Sequence, residues 1–221
     1  MSLPLGSALE QRPALARALP FLLFAALTMG QGLLGEAAPY WIYLLKTIVG
    51  ALMLWAVRPI IAEMRWEFSW LAVVAGVSVF AVWVALHGLY PQVNRGAVWN
   101  PFDQFGDSAM AWFFVAVRIV GSSLVVPPLE EVFYRSFLYR WIARQDFLSV
   151  GLGAFVLRPF IVTTLVFGFA HHEWLAGILC AAVYQGLVCW TKRLGDAITA
   201  HAITNALLGL WVVTKGDWHF W

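Results

Sequence analysis

The amino-acid sequence predicts an all-α, polytopic membrane protein with about eight transmembrane helices. Of its 221 residues, 62% are hydrophobic and only 12% are charged, which is too little polar surface to cover a soluble globule of this size. Seven or eight apolar runs, each near the roughly 20 residues that a membrane-crossing helix needs, are separated by short polar breaks. Tryptophans near the ends of these runs indicate an interfacial aromatic belt. They are Trp41, Trp66, Trp70, Trp99, Trp112, Trp141, Trp174 and Trp211.

The first apolar run, at about residues 18–35, has two interpretations. The sequence around Gly35 loosely resembles a signal-peptide cleavage site. We favour a retained helix, because the run is long for a signal peptide and further membrane spans follow. The second run, at about 40–61, contains Lys46, whose ammonium group is expected to reach the membrane surface while its carbon chain lies in lipid.

The third run, at about 69–89, leads into a loop of roughly twenty residues, 90–108. Structureless loops of this length are uncommon unless they cover a site or admit a substrate, so a functional loop and a plain interfacial loop both stay open. The fourth run, at about 109–126, is expected to stop at the double proline Pro127-Pro128.

A fifth helix is predicted to begin at the double proline and to contain the charged motif Glu130-Glu131-Val-Phe-Tyr-Arg135. A charged group at bilayer depth costs about 2.5 kcal/mol or more, so three of them within six residues indicate a site. Glu131 and Arg135 are four residues apart, share a helical face and suit an ion pair. Glu130 shares its face with Tyr134 instead.

Three further runs complete the predicted set of helices. The sixth lies at about 154–171, and the seventh, at about 174–190, has small residues one turn apart that let neighbouring helices approach closely. The eighth, at about 194–213, places His201 and Asn205 four residues apart on one helical face.

The composition excludes some classes of function and leaves other properties open. A net charge of +2 with dispersed Lys and Arg is too weak for nucleic-acid binding. Cys180 and Cys189 would face opposite sides of one helix, so no disulfide framework or CxxC metal site is predicted, and we expect no metal and no cofactor. The basic residues are too evenly divided to orient the chain, and small-residue faces do not reveal the oligomeric state.

Polar groups from separate predicted helices form a candidate catalytic set for hydrolysis of an amide. Glu130 supplies a carboxylate base, His171 an imidazole that can hold the same water, and His201 and Asn205 donors for an oxyanion. Each residue also has a structural interpretation, because such groups bond across helices and a Glu–Arg pair can lock two helices together. Two other functions stay open, a zinc protease with a His₂Glu ligand set and a non-enzymatic transporter or scaffold.

Three motifs occur in order in the second half of the chain: EExxxR at residues 130–135, FxxxH at 167–171 and HxxxN at 201–205. Together they resemble the CAAX-prenyl-protease and bacteriocin-processing (CPBP) family of intramembrane glutamic endopeptidases. The segments VVPPLEEVFYRSFLYRW, HHEWLAG and AHAITNALLG are also similar to the CAAX prenyl protease-related subgroup that is associated with exosortase protein-sorting systems.

The resemblance implies about eight helices around a membrane-buried cavity. The residues that it implies as catalytic are Glu130, His171, His201 and Asn205, and those that it implies as supporting are Glu131 and Arg135. The first two would activate water, the next two would bind the oxyanion, and the supporting pair would hold the first glutamate. Because the second motif is counted from Phe167, it selects His171 rather than the adjacent His172.

We therefore expect one integral membrane protease domain over residues 1–221, with a motif-bearing core at 109–214, in the cytoplasmic (inner) cell membrane. The expected partners are membrane lipid and a peptide or protein substrate, which is cleaved near its C-terminus or within a membrane-associated segment. No residue forms a prenyl-recognition signature, so the substrate can be lipidated or not. An immunity or self-protection role, known in some relatives, is compatible with proteolysis.

Overall fold

The computed structural model describes residues 9–30, 35, 37–92 and 98–221. Within these ranges all regular secondary structure is helical, which confirms the predicted all-α class. The helices are α1 (Pro13–Gly30), α2 (Ala38–Val57), α3 (Trp70–Leu86), α4 (Pro101–Phe105), α5 (Ala109–Ala143), α6 (Leu157–Phe169), α7 (Trp174–Thr191) and α8 (Leu194–Lys215). Short 3₁₀ turns lie at Phe147–Ser149 and Trp218–Phe220.

Five of the described helices, α1, α2, α5, α7 and α8, are long and apolar enough to cross a membrane. The apolar helices α3 and α6 are shorter, with 17 and 13 residues. Large hydrophobic side chains lie exposed along the helices, and Trp70 and Trp190 reach 83% and 82% exposure. Such a surface suits lipid rather than water. The protein is a multi-pass membrane protein, while the predicted count of about eight crossings is not confirmed.

The tryptophans of the predicted belt lie mostly at helix ends. Those in a first helical turn are Trp41, Trp70, Trp112 and Trp174, and those near a last turn are Trp141 and Trp211. Trp66 and Trp99 lie in connecting segments, and Trp99 is buried among aromatic rings instead of facing a membrane interface.

The prediction that the double proline ends one helix and begins another is wrong. Helix α5 runs without interruption through Pro127 and Pro128 for 35 residues. Just before them, residues Gly121–Val125 form a π-helical turn in which the N–H of Val126 bonds to the carbonyl of Gly121, five residues back. This wider turn allows prolines, which lack an N–H, inside the helix. The carbonyls that would have bonded to those N–H groups can be satisfied by π-type hydrogen bonds and by neighbouring side chains.

The helices divide between two compact units. Unit 1 comprises the described residues of 1–61, 97–129 and 205–221, and unit 2 those of 62–96 and 130–204. The predicted single domain over 1–221 stays a prediction.

Unit 1 has an aromatic core. Tyr40 and Tyr43 of α2 pack with Trp99 and with Phe114 of α5. The Tyr40 hydroxyl donates to the carbonyl of Asn100, 2.7 Å away. That asparagine also caps α4, so the part of the 90–108 loop that the structure describes contains a helix anchored to α2. Residues 93–97 of the loop lie outside the described ranges.

Lys46 does not extend to the membrane surface, contrary to the sequence-based expectation. Its side chain is 4% exposed, and Nζ donates to Thr28 Oγ1 at 2.8 Å. The ammonium group also lies over the rings of Phe24 and Tyr43. Protein groups from α1 and α2 thus surround a charge that the sequence alone would assign to the lipid interface.

Unit 2 depends on two close helix approaches. Where α6 meets α7, a Cβ added to Gly168 would fall 2.2 Å from Ile178 Cγ1, and one added to Gly177 would fall 3.1 Å from the Gly168 Cα. Where α3 meets α8, a Cβ on Gly76 would fall 2.5 Å from the Ala200 carbonyl oxygen. Of the small residues predicted to allow close packing of α7, Gly177 therefore lies at a close helix contact, whereas Gly186 has open space beside it.

Candidate active site

Two π-helical segments of α5 flank the glutamate pair. The first is Gly121–Val125, and the second is Val132–Leu138, where the N–H of Tyr139 bonds to the carbonyl of Tyr134. Between them lies a six-residue α-helical stretch, Val126–Glu131. π turns inside α-helices are frequent at functional sites because they redirect side chains.

Glu131 lies at the centre of a buried charged cluster. Its carboxylate is fully buried, and its Oε2 lies 3.1 Å from Arg135 Nε, which confirms the predicted ion pair. His201 Nδ1 lies 2.9 Å from Glu131 Oε1. Because a carboxylate only accepts, this imidazole nitrogen bears the proton. One carboxylate therefore fixes both a guanidinium and a histidine, and Arg135 lies over the Phe167 ring at 4.6 Å.

Glu130 is less constrained than its neighbour. Its Oε2 atom lies 4.0 Å from His201 Nε2, is shielded from solvent, and makes no hydrogen bond with any described residue. The side chain as a whole is 14% exposed. A buried carboxylate oxygen without a donor is unfavourable unless a water or a substrate binds it, so this atom is the reactive candidate of the pair.

His171 follows the end of α6 and is oriented by Phe167. Its Nδ1 lies 2.7 Å from the Phe167 carbonyl oxygen, and the two rings stack with centroids 4.6 Å apart. A carbonyl oxygen only accepts, so Nδ1 bears the proton and Nε2 of the neutral ring is an acceptor. Trp83 of α3 contacts the ring edge-on. The charged groups that interact with His171 are Glu130, His201 and Arg135.

The alternative histidine, His172, is exposed. His171 is half-buried beside the close approach of α6 and α7 at Gly168 and Gly177. A Cβ added to Gly177 would fall 3.5 Å from His171 Cβ. The structure therefore places the FxxxH histidine close to Glu130 and Arg135.

His201 is held by rings and hydrogen bonds. Tyr184 of α7 lies against the imidazole with centroids 5.3 Å apart, and the Tyr184 hydroxyl donates to Thr204 Oγ1 at 2.7 Å. Thr204 in turn donates to the Gly76 carbonyl at 2.8 Å. These bonds fix α8 against α3 and α7, so the imidazole orientation does not depend on Glu131 alone.

Asn205, the remaining predicted site residue, belongs to unit 1. Its Nδ2 donates to the carbonyl of Ser122 on α5 at 2.8 Å. The structure brings together Glu130, Glu131, Arg135, His171 and His201 within unit 2. None of the described contacts of Asn205 involves another predicted site residue.

Sequence reasoning missed a cluster next to His171. Glu173 is buried and accepts hydrogen bonds from Tyr90, at 2.7 Å, and from His87 and Gln92. The Tyr90 hydroxyl also accepts from the N–H of Ala176. Burial raises the pKa of Tyr90 to about 12, so the phenol keeps its proton and can donate. The signal in the sequence is the acid directly after the two histidines.

No group of three or more His, Cys, Asp and Glu side chains is arranged to hold a metal ion in the part of the chain that the structure describes. Glu130 lies 4.0 Å from His201, whose other ring nitrogen is already joined to Glu131 by a hydrogen bond.

The site thus combines a carboxylate and two imidazoles inside a multi-pass helical membrane protein. Residues 111–207, which include all three motifs, match the family described as type II CAAX prenyl endopeptidase, Rce1-like. This match covers a little under half of the chain and confirms the predicted resemblance to the CAAX protease family. The family implies a CAAX-type membrane endopeptidase.

Comparison with curated proteins gave no significant match, and neither did comparison with solved structures.

Proposed function

We propose that this protein is an intramembrane endopeptidase of the glutamic type, in which Glu130 and His171 activate a water molecule that attacks a peptide bond. The observation that supports this proposal best is the state of Glu130. Its Oε2 is buried, accepts no hydrogen bond from the described residues and lies 4.0 Å from His201 Nε2. A carboxylate in this state binds a proton donor when one is present.

The water is proposed to bind between two acceptors. His171 Nδ1 donates to a carbonyl, so Nε2 accepts, and the Glu130 carboxylate also accepts. A water can donate one O–H to each acceptor and direct its lone pair at a substrate carbonyl. The proton that Glu130 takes from the water is then available for the leaving amine, as general acid–base catalysis of amide hydrolysis requires.

The oxyanion is proposed to bind to His201 and Asn205. In this proposal Glu131 accepts from His201 Nδ1 and fixes the ring, and a proton on Nε2 supplies the donor to the oxyanion. Asn205 follows one helical turn later, and its amide retains a second N–H beyond the one that binds Ser122. Arg135 balances the charge of Glu131.

Several further properties belong to the same proposal. The substrate is a membrane-associated or C-terminal peptide, lipidated or not, and the enzyme works in the cytoplasmic (inner) cell membrane. The whole chain, 1–221, acts as one protease domain with its core at 109–214. About eight membrane crossings surround an intramembrane cavity that admits water and the peptide.

The deciding experiment compares wild-type protein with Glu130→Gln. Both are reconstituted with synthetic C-terminal peptides, one set carrying a prenylated cysteine and one set unmodified, and products are identified by mass spectrometry. We expect cleavage at one defined bond by the wild type and a loss of about 10²-fold or more in the variant, because the general base is removed. The matched control is Glu10→Gln, which changes an exposed acid outside the site.

Equal cleavage by wild type and a folded Glu130→Gln variant would contradict the catalytic role of Glu130. The scaffold or transporter alternative would be favoured if neither protein cleaves the synthetic peptides and membrane-fraction proteomics also shows no cleaved component with either protein. The comparison of prenylated with unmodified peptides tests the substrate class separately.

A further inference from the structure

Unit 1 contains two cations in membrane-crossing helices without an acidic partner. Lys46 on α2 is 4% exposed, and its one hydrogen bond goes to a threonine hydroxyl. Arg118 on α5 is half-buried. Among the described residues neither side chain forms an ion pair; Arg118 acts electrostatically on Lys46, and the Tyr43 ring lies beside both. Asp103, an acid of unit 1, acts on Tyr40.

The two cations lie close together. Lys46 Nζ is 4.7 Å and Arg118 Cζ is 4.5 Å from the centroid of the Tyr43 ring, so the charges are separated by at most about 9 Å. Like charges at this separation repel strongly where water is scarce. Charged side chains at membrane depth usually pair or mark a functional site, so two neighbouring cations without an acidic partner point to an anion.

Arg118 has the geometry of an anion-binding group. Rings of Tyr43, Trp99 and Trp221 surround its guanidinium, at 4.5, 5.0 and 5.8 Å from Cζ. Aromatic rings stabilise the cation but do not accept the N–H groups in the guanidinium plane. No described residue accepts a hydrogen bond from those groups. A planar edge with free N–H donors matches the oxygens of a phosphate, which it can bind through two parallel hydrogen bonds.

The position in the helices indicates where the phosphate comes from. Tyr43 lies five residues into α2, about 7–8 Å along the helix from its start, and Lys46 lies about 12 Å along it. The start of α2 carries Tyr40 and Trp41, which are typical of the interface between headgroups and hydrocarbon. Arg118 is therefore at the depth that a lipid phosphate can reach, with Lys46 one turn deeper.

We propose that Lys46 and Arg118 form a binding site for the phosphate of an anionic phospholipid. The lipid headgroup neutralises both cations at the edge of unit 1, and its acyl chains lie along the exposed apolar side chains of α2 and α5, such as Leu45 and Phe113. Neither Lys46 nor Arg118 belongs to the proposed catalytic set, so the lipid site can be tested independently of peptidase activity.

The test uses the purified, delipidated full chain in neutral detergent, titrated in native mass spectrometry with phosphatidylglycerol and with phosphatidylcholine of the same acyl chains. We expect phosphatidylglycerol to bind at least about tenfold more tightly, since only its headgroup leaves a net negative charge. Arg118→Gln and Lys46→Met should each reduce that preference about tenfold, whereas Arg58→Gln, which changes an exposed arginine at the end of α2, should not.

Equal binding of the two lipids would overturn the proposal, and so would an equal loss of preference in Arg58→Gln and Arg118→Gln. If Arg118→Gln does not give a folded protein, Lys46→Met decides alone: an unchanged preference overturns the site. Two competitors identify the source of the anion. Displacement of the lipid by inorganic phosphate at millimolar concentration would show a free-phosphate site, and displacement by a peptide with a free but not an amidated C-terminus would show a peptide site.

Discussion

The side-chain amide of Asn205 donates to the main-chain carbonyl of Ser122 over 2.8 Å. Inside a helix this carbonyl would accept from residue 126 or 127. The N–H of Val126 bonds to Gly121 instead, and Pro127 has no N–H. Asn205 therefore supplies the donor that the double proline removes from α5, and the last motif residue has a structural task alongside its proposed catalytic one.

A double-mutant cycle tests this structural task. Asn205→Ala should lower the free energy of unfolding by about 0.5–2 kcal/mol, because the Ser122 carbonyl loses its donor within the membrane. In a Pro127→Ala background, residue 127 regains an N–H, and the cost of Asn205→Ala should shrink by at least about 0.5 kcal/mol. Reversible unfolding in mixed detergent micelles measures both values. If Asn205→Ala lowers the free energy of unfolding equally in both backgrounds, the Asn205 amide does not replace the N–H that Pro127 lacks.

The buried pair of Glu131 and Arg135 should be sensitive to removal of one partner. Arg135→Met leaves a fully buried carboxylate without its cation, which typically costs about 3–5 kcal/mol. The double variant Glu131→Gln/Arg135→Met, which removes both charges, should be more stable than Arg135→Met alone. Thermal unfolding in detergent measures the difference. Arg144→Met, at an exposed arginine of the same unit, serves as the control and should change little; a comparable loss there would argue against a special role of the pair.

Two glycine substitutions separate close packing from simple helix propensity. Gly168→Ala puts a methyl group 2.2 Å from Ile178 Cγ1, so α6 and α7 must move apart and His171 is displaced. We expect peptidase activity to fall by about tenfold or more, since small misplacements of catalytic groups are costly. Gly186→Ala on the neighbouring helix meets nothing within 4 Å and should preserve activity and raise helix stability. Equal peptidase activity in Gly168→Ala and Gly186→Ala would contradict the importance of the close contact between α6 and α7.

The cluster around Glu173 should hold residues 87–92 against the start of α7. Glu173→Gln replaces the acceptor shared by Tyr90, His87 and Gln92, so the segment should exchange its amide hydrogens faster. Hydrogen–deuterium exchange in detergent measures this effect, with Asp146→Asn as the exposed control in the same unit. Unaltered exchange in 87–92 would mean that other contacts anchor the segment.

Metal dependence distinguishes the proposed glutamic mechanism from the zinc alternative. We expect peptidase activity to be unchanged by a strong chelator and the purified protein to contain zinc well below one atom per chain, because the proposed water is activated by Glu130 and His171. Activity that disappears with chelator and returns with added zinc would instead favour the His₂Glu site.

Local spacing made part of the site predictable. Glu131 and Arg135 are four residues apart, and such a pair meets on any regular helix. The ordered motifs likewise identified the segment that matches a known family. The hydrogen bond between Glu131 and His201 joins residues 70 positions apart, and no local pattern specifies such a pairing.

Two errors have a common physical origin. Pro127 was expected to begin a helix because an isolated helix cannot replace its missing hydrogen bond. Lys46 was expected to leave the hydrocarbon because an isolated helix offers it no partner. In both cases another helix supplies the missing group, Asn205 for the proline turn and Thr28 for the ammonium. Such tertiary contacts cannot be predicted from the sequence of the segment whose missing partner they supply.

The length of α5 has a consequence for the surrounding bilayer. Its 35 residues extend about 52 Å, against about 30 Å of hydrocarbon, and even a 40° tilt leaves a projection of about 40 Å. Some of the helix must emerge among headgroups, or the lipids beside it must stretch. Hydrophobic mismatch therefore acts directly on α5, the helix that carries the glutamates. Reconstitution into lipids of graded chain length would show how membrane thickness changes the turnover rate.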